Sequence, residues 1–203
     1  MNMTSNRLSN GGIPWSAIMH VQAQLLHFFR LATCLTLCVL GSVGVAQAAT
    51  EYEVKTAFIF NFLRFTEWPP EALKDNIFRL CVLGRDPLGD ALNALRGKQI
   101  QGRDLQIIQV GTSLDALACH AVYIAPSEQP RLSTILATSA TRPILTLSDV
   151  DQFVAKGGMI GLTLVDERVR FEVSLIVARE SKLRINSQVL KLAHRVIDTK
   201  GAP

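Results

Sequence analysis

The chain has 203 residues and a formal net charge of +4 at pH 7. From residue 49 onward, 19 Lys and Arg are interleaved with 17 Asp and Glu, which excludes the clustered basic face typical of a nucleic-acid-binding protein. The remaining 155 residues are the size of one domain, and a domain of that size needs no metal to hold its core.

The N-terminal segment has the pattern of a secretory signal peptide. Residues 31–45 are almost entirely apolar, but this stretch is shorter than the roughly 20 residues that a membrane-spanning helix needs. Arg30 precedes it, and Ala46-Gln47-Ala48 forms a small-x-small cleavage site. We therefore expect residues 1–48 to be a cleaved leader, of ordinary length if translation starts at Met19, and we expect export to the periplasm. A membrane anchor or a buried helix is the alternative.

Two cysteines, Cys81 and Cys119, remain once such a leader is removed. In an oxidising compartment two thiols are a natural pair, so we expect a disulfide. Closing a loop of this length stabilises a fold by roughly 4 kcal/mol in the chain-entropy model. Two buried free thiols are the alternative.

The first element of the expected domain, residues 49–203, is a helix over residues 51–66. At 100° per residue, one face carries an apolar stripe composed of Val54, Phe58, Phe62 and Phe65. Ile59 and Leu63 lie on roughly the opposite side, with Phe60 near them. Such a helix is either buried on two sides or presents its second stripe to a partner.

Short apolar runs then alternate with helical stretches. Strands are predicted over residues 80–83, 105–110, 121–125 and 144–147. Helices are predicted over residues 88–95, 132–139 and 150–155, with a short turn or helix over residues 114–118. Continuous apolar strands separated by helices predict an α/β fold with a mostly parallel sheet and helices on both faces.

The pattern changes near the C-terminus. Two runs, residues 159–165 and 169–177, flank Asp166-Glu167-Arg168, which predicts an antiparallel hairpin at an edge of the sheet. Arg170 and Glu172 fall on its polar face. A final helix is predicted over residues 187–197, with Asn186 or Ser187 as its N-cap.

The sequence shows no catalytic or metal-binding constellation. His120 directly follows Cys119, but an oxidised Cys119 cannot act as a nucleophile beside it. The glycine-rich segment at residues 157–161 precedes a strand, so it predicts a turn rather than a phosphate-binding loop. We therefore expect neither an enzyme nor a bound cofactor.

One loop has the position of a ligand site. Gly84, Arg85 and Asp86 follow a predicted strand and precede a helix, which is where ligands bind in open α/β sheets. Arg85 could hold an anion there. A simple strand-to-helix turn, with Asp86 near the N-cap, is the alternative.

Several ordered motifs match one known family. The predicted first helix runs from Lys55 to the exit Thr66-Glu67-Trp68-Pro69, and Leu80-Cys81-Val82-Leu83-Gly84 follows it. The other matching stretches are residues 97–103, Cys119 ahead of a strand, and residues 143–146, 157–160, 170–173 and 187–193. In this order and at these separations they resemble the YfiR-type periplasmic regulators over nearly all of the chain after residue 48.

The resemblance implies a regulator that binds the periplasmic sensor domain of an inner-membrane diguanylate cyclase and restrains it. Restraint lowers cyclic-di-GMP and biofilm formation, and an outer-membrane OmpA-like lipoprotein that binds peptidoglycan relieves it by sequestering the regulator. Cys81 and Cys119 match the family's cysteine pair. The second pair that some relatives carry is absent after residue 48, and Ser174 stands where the family pattern has Asn.

Two surfaces are candidates for the partner interface. One is the stripe of Ile59, Phe60 and Leu63, unless that helix is buried on both sides, and the other is the hairpin face of Arg170 and Glu172. Whether the protein forms a homodimer stays open. The alternative function is a periplasmic small-molecule-binding domain without a cyclase partner, with its pocket at the loop of Gly84, Arg85 and Asp86.

Overall fold

The structure is a computed structural model that describes residues 49–199. The predicted signal peptide, including Met19, and the last four residues lie outside the described residues. The part from residue 49 onward forms one compact unit.

The first helix, α1 (Glu51–Phe65), begins at a complete capping box. The Thr50 hydroxyl accepts a hydrogen bond from the Glu53 backbone N–H at 3.3 Å, and the Glu53 carboxylate accepts one from the Thr50 N–H at 2.7 Å. This exchange satisfies two backbone donors that a helix start otherwise leaves unpaired. The helix ends where Thr66 becomes extended, two residues before Trp68-Pro69.

Within residues 49–199, ten strands follow α1. They are β1 (Thr66–Glu67), β2 (Ile77–Leu83), β3 (Gln99–Ile100), β4 (Arg103–Val110), β5 (Ala121–Ile124), β6 (Leu145–Ser148), β7 (Ile160–Val165), β8 (Arg168–Ser174), β9 (Arg184–Ile185) and β10 (Arg195–Ile197). Eight form one sheet in the order β10-β8-β7-β6-β5-β2-β4-β3, and β1 pairs with β9 in a small separate sheet. In the large sheet only the β3–β4 and β7–β8 pairs are antiparallel. The predicted α/β fold with a mostly parallel sheet is therefore confirmed.

The described residues also form four shorter α-helices: α2 (Gly89–Asn93), α3 (Leu132–Ser139), α4 (Leu175–Glu180) and α5 (Ser187–Leu190). Three 3₁₀ segments lie at Pro70–Ala72, Asp115–Ala118 and Pro126–Arg131. The helix predicted over residues 132–139 is observed as α3. The helix predicted over residues 88–95 is observed as the shorter α2.

The sheet has a hydrophobic core on each face. On one face, Ile59, Phe62 and Leu63 of α1 pack with Phe171 and other buried strand residues. On the opposite face, Leu132 and Ile135 of α3 pack around the two cysteines. Helices on both faces explain why the central strands are continuous apolar runs.

The C-terminal third differs from the prediction in three elements. The strand predicted to reach residue 177 ends at Ser174, whose hydroxyl accepts a hydrogen bond from the Val177 N–H and caps α4. The helix predicted over residues 187–197 is wrong, since α5 has four residues and β10 follows it. Residues 150–155 form turns rather than a helix.

The strand β10 has a clear physical role. It pairs in parallel with β8, and the His194 N–H donates to the Phe171 carbonyl at 2.8 Å. These contacts satisfy backbone groups that a helix at this position would leave unpaired on β8. The hairpin β7–β8 is therefore internal, and β10 forms the edge of the sheet.

Candidate functional site

A buried ion-pair network joins α1 to the carboxyl ends of two central strands. Lys55 is only 6% exposed, and its Nζ lies 2.6 Å from Glu51 Oε1 and 2.7 Å from Asp149 Oδ2. Asp149 directly follows β6, and its Oδ1 accepts a hydrogen bond from the Tyr123 hydroxyl of β5 at 2.5 Å. The network fixes the position of α1 along the sheet.

The protonation states of the network follow from its surroundings. Burial disfavours the ammonium of Lys55, but the hydrogen bonds that it donates to Asp149 and Glu51, with the charges of these carboxylates, outweigh burial, so the pKa of Lys55 lies above its ordinary value. Burial, reinforced by the charge of Asp149, raises the pKa of the Tyr123 phenol far above its ordinary range. Lys55 therefore stays charged, and Tyr123 remains a hydrogen-bond donor.

A polar cavity of about 350 Å³ opens beside this network. Lys55 and Asp149 line it together with Thr163, Glu172 and Arg195 from the neighbouring strands. Arg195 Nη2 lies 2.8 Å from Glu172 Oε2, so a second ion pair also lines the cavity. The cavity lies past the carboxyl end of β6, at the edge where open α/β sheets bind ligands.

Sequence patterns did not single out Lys55, Tyr123 or Asp149 as functional residues. The available signal was a lysine inside a largely apolar helix and an aspartate directly after a buried strand. Both polar groups need a partner when they are buried, but 94 residues separate them in the chain. Their pairing is visible only once the topology is known.

The loop of Gly84, Arg85 and Asp86 lies at the carboxyl end of β2, as predicted. The segment that contains Ser127 packs directly against its backbone. Gly84 has a φ of +92°, and a Cβ on it would lie 2.6 Å from Ser127 Oγ. Ser127 Oγ also accepts a hydrogen bond from the Arg85 N–H, and Asp86 accepts one from the Leu88 N–H. These contacts fit the strand-to-helix turn, and a ligand at the backbone would have to displace Ser127.

The two predicted interface surfaces have different positions in the structure. Ile59 and Leu63 are fully buried in the core, so they form no exposed stripe, while Phe60 is half-buried. Arg170 on β8 is exposed, and Glu172 is partly exposed and paired with Arg195. The hairpin face is therefore accessible to a partner, whereas the stripe is not.

The other stripe of α1 is partly open. Phe58 and Phe65 are half-buried, and they form a groove with α5 above the buried ring of Phe171. Leu192, just after α5, lines the same groove and is 70% exposed. The stripe of Val54, Phe58, Phe62 and Phe65 therefore contributes the half-buried rings of Phe58 and Phe65 to an apolar groove, and Leu192 adds an exposed leucine to it.

The structure contains the Cys81–Cys119 disulfide, which links β2 to a residue two positions before the start of β5, with a Cα–Cα distance of 6.0 Å. Both cysteines are buried. His120 accepts a hydrogen bond at Nδ1 from the Arg79 N–H at 2.9 Å and faces the Ala72 carbonyl with Nε2 at 3.0 Å. This arrangement assigns a neutral imidazole that donates from Nε2, and the residue serves the packing of the strands.

Two general properties of the described residues bear on function. Within residues 49–199, no group of three or more His, Cys, Asp and Glu side chains is arranged to hold a metal ion. None of the helices in that range has the length and apolar composition to cross a membrane.

Comparison with known proteins identifies a family and supports the fold. The model of the DUF4154 family, described as YfiR/HmsC-like, matches residues 52–194. A crystal structure of a conserved domain protein from Vibrio cholerae superposes with a TM-score of 0.52 at 11% identity, covering 72% of this chain and 60% of that one. An ABC domain from Streptococcus pneumoniae, solved in complex with L-Trp, gives a TM-score of 0.42 at 12% identity, covering 63% of this chain and 57% of that one. This chain thus spans less than two thirds of either protein.

Proposed function

The chain belongs to the YfiR/HmsC-like family, and from that membership we propose that it binds and restrains an inner-membrane diguanylate cyclase. The family comprises periplasmic regulators of diguanylate cyclase signalling and is not a family of enzymes. In the proposal the protein contacts the periplasmic sensor domain of the cyclase, so that cyclic-di-GMP and biofilm formation fall.

The observation that carries the proposal is the family match, because it spans residues 52–194 and thus most of the described range. The Cys81–Cys119 disulfide fits an oxidising compartment such as the periplasm. Residues 1–48 act as the signal peptide in this proposal, and residues 49–203 are the mature domain.

Release from restraint is the second half of the proposal. An OmpA-like lipoprotein of the outer membrane sequesters the regulator and frees the cyclase. The mature protein, as a monomer or a homodimer, would then partition between two partners on opposite sides of the periplasm.

The proposal is tested by measuring cellular cyclic-di-GMP with and without this gene. We expect deletion to raise cyclic-di-GMP and the full chain to reverse the rise. A variant lacking residues 1–48, which stays in the cytoplasm, is the control and should not reverse it. No rise on deletion, or equal rescue by the leaderless variant, contradicts the proposal.

The polar cavity favours one alternative, a periplasmic domain that binds a small polar molecule. Two ion pairs, Lys55–Asp149 and Arg195–Glu172, line this space of about 350 Å³ and offer both charges to a ligand. A ligand that binds only the folded state raises the melting temperature, and above the Kd the stabilisation grows with the logarithm of the ligand concentration. Screening small amino acids and carboxylates for such a rise, with Lys55→Met as the comparison protein, tests this alternative.

A further inference from the structure

We propose that the groove between α1 and α5 is the docking surface for the restrained partner, which inserts an apolar side chain flanked by carboxylates. This inference rests on the proposed function, since it names the surface through which restraint acts. It places the interface on the stripe of Phe58, Phe62 and Phe65, on the side of α1 opposite to the buried residues Ile59 and Leu63.

The groove is apolar and has a floor that is already built. Its volume is about 220 Å³. Phe62 and Phe171 form the floor, with ring centroids 4.8 Å apart in an edge-to-face arrangement. The remaining lining residues are Phe58, Asn61, Phe65, Gln188, Val189 and Leu192. Asn61 and Gln188 are the only polar side chains among these described lining residues.

Backbone hydrogen bonds hold the two walls of the groove together. The Asn186 N–H, at the cap of α5, donates to the Phe65 carbonyl at the end of α1 at 2.9 Å. The Leu192 N–H donates to the Val189 carbonyl at 3.0 Å, so the exposed leucine lies on a fixed turn. Because this wall is already ordered, less conformational entropy is lost when a partner binds, as expected for a docking surface.

The charge at the rim indicates the chemistry of the partner. The Arg64 guanidinium lies 5.5 Å from the ring centroid of Phe65, at one side of the groove. Lys191 is exposed and directly precedes Leu192 at the other side. None of the groove's described lining residues is acidic. Carboxylates beside the inserted side chain would therefore be attracted to both rims.

Two other open cavities lack this combination. The cavity beside Lys55 is lined by ion pairs, and that between α1 and α2 mixes Glu53 and Asp90 with Lys98. A buried apolar anchor inside a polar rim is the usual arrangement of a protein–protein interface. Of these three cavities, the groove between α1 and α5 combines an apolar floor with a cationic rim.

The first test places a charge on the exposed leucine. Leu192→Asp is compared with Leu114→Asp, because Leu114 is 69% exposed and lies away from the groove. Each variant is exported from the deletion strain, and cyclic-di-GMP and the melting temperature are measured. We expect Leu192→Asp to leave cyclic-di-GMP at the level of the deletion strain, with an unchanged melting temperature, and Leu114→Asp to restore the wild-type level.

A second pair of variants covers the case in which Leu192→Asp fails to fold. Arg64→Glu with Lys191→Glu reverses the charge of the rim, and Lys74→Glu with Arg142→Glu makes the same change beside a different cavity. We expect only the rim variant to lose restraint.

The outcomes separate the two proposals. If the wild-type chain lowers cyclic-di-GMP and both groove variants do so equally well, the groove is not the docking surface and the proposed function stands. The same conclusion follows if each control loses as much restraint as its partner variant. If the wild-type chain has no effect on cyclic-di-GMP, both proposals are overturned.

Discussion

The indole Nε1 of Trp68 donates a hydrogen bond to the backbone carbonyl of His120 at 3.1 Å. The same carbonyl accepts a bond from the Leu145 N–H of β6 at 2.9 Å. The Trp68 ring also meets Phe78 edge-to-face, with centroids 5.0 Å apart. The tryptophan that follows α1 therefore holds in place His120, the residue after Cys119 of the disulfide.

Replacing Trp68 tests this link. Trp68→Phe keeps an aromatic ring but removes the indole N–H, and we expect a loss of about 1–3 kcal/mol in the free energy of unfolding. Trp68→Ala should lose about 3–5 kcal/mol, because it also leaves a cavity. Urea denaturation measures both losses, and an unchanged stability of Trp68→Phe would show that the hydrogen bond contributes nothing.

His120 makes stability depend on pH. Its burial, with the charge of Arg79 nearby, lowers the pKa of the imidazole below its ordinary value of 6.5. The unfolded chain therefore binds a proton at a pH where the folded chain does not, so the free energy of unfolding falls as pH drops below about 6.5. The loss continues until the pH reaches the lower pKa of the folded state.

Melting temperatures between pH 7.5 and 5 check this expectation. His120→Gln is the matched variant, since its amide can replace both hydrogen bonds without titrating. We expect the wild-type protein to lose more stability than His120→Gln over this range. Parallel curves for the two proteins would contradict the assigned role.

The disulfide predicts a large difference between oxidised and reduced protein. Cys81→Ala with Cys119→Ala should destabilise the fold by roughly 4 kcal/mol in the chain-entropy model. Reductant should lower the melting temperature of the wild-type protein and leave that of the double variant unchanged. Alkylation of the exported protein without reductant should add no mass, and two adducts would show that the disulfide does not form.

The two ion pairs of Lys55 should differ in strength. Lys55→Met leaves the buried Asp149 without its cation, which we expect to cost about 3–5 kcal/mol. Glu51→Gln removes only the partner whose side chain is 39% exposed, and such pairs contribute about 0–1 kcal/mol. Chemical denaturation measures both, and adding Asp149→Asn to Lys55→Met should recover part of the loss.

The fold was predictable where local sequence determines burial. The runs at residues 80–83 and 121–125 are apolar at every position, as strands covered on both faces must be, and they became β2 and β5. Residues 187–197 also satisfy a helical pattern, but α5 ends at Leu190 and β10 pairs with β8. That pairing depends on a strand some 20 residues earlier, which periodicity alone does not reveal.

The candidate sites were less predictable for the same reason. Apolar residues around all of α1 indicated two covered faces, but not which face would stay partly open. The structure buries Ile59 and Leu63 and leaves Phe58 and Phe65 half-buried beside Leu192. The position of the short α5 determines this choice, and it is fixed by the contact between Asn186 and Phe65.

The most direct test of restraint is the activity of the cyclase itself. Membranes from the deletion strain, permeable to protein on both faces, are supplied with GTP, and cyclic-di-GMP synthesis is measured against increasing amounts of the purified, oxidised mature protein. We predict a saturable fall in synthesis, abolished by Leu192→Asp and retained by Leu114→Asp. Synthesis that stays constant at every concentration of the wild-type protein would contradict the claim that it restrains a diguanylate cyclase.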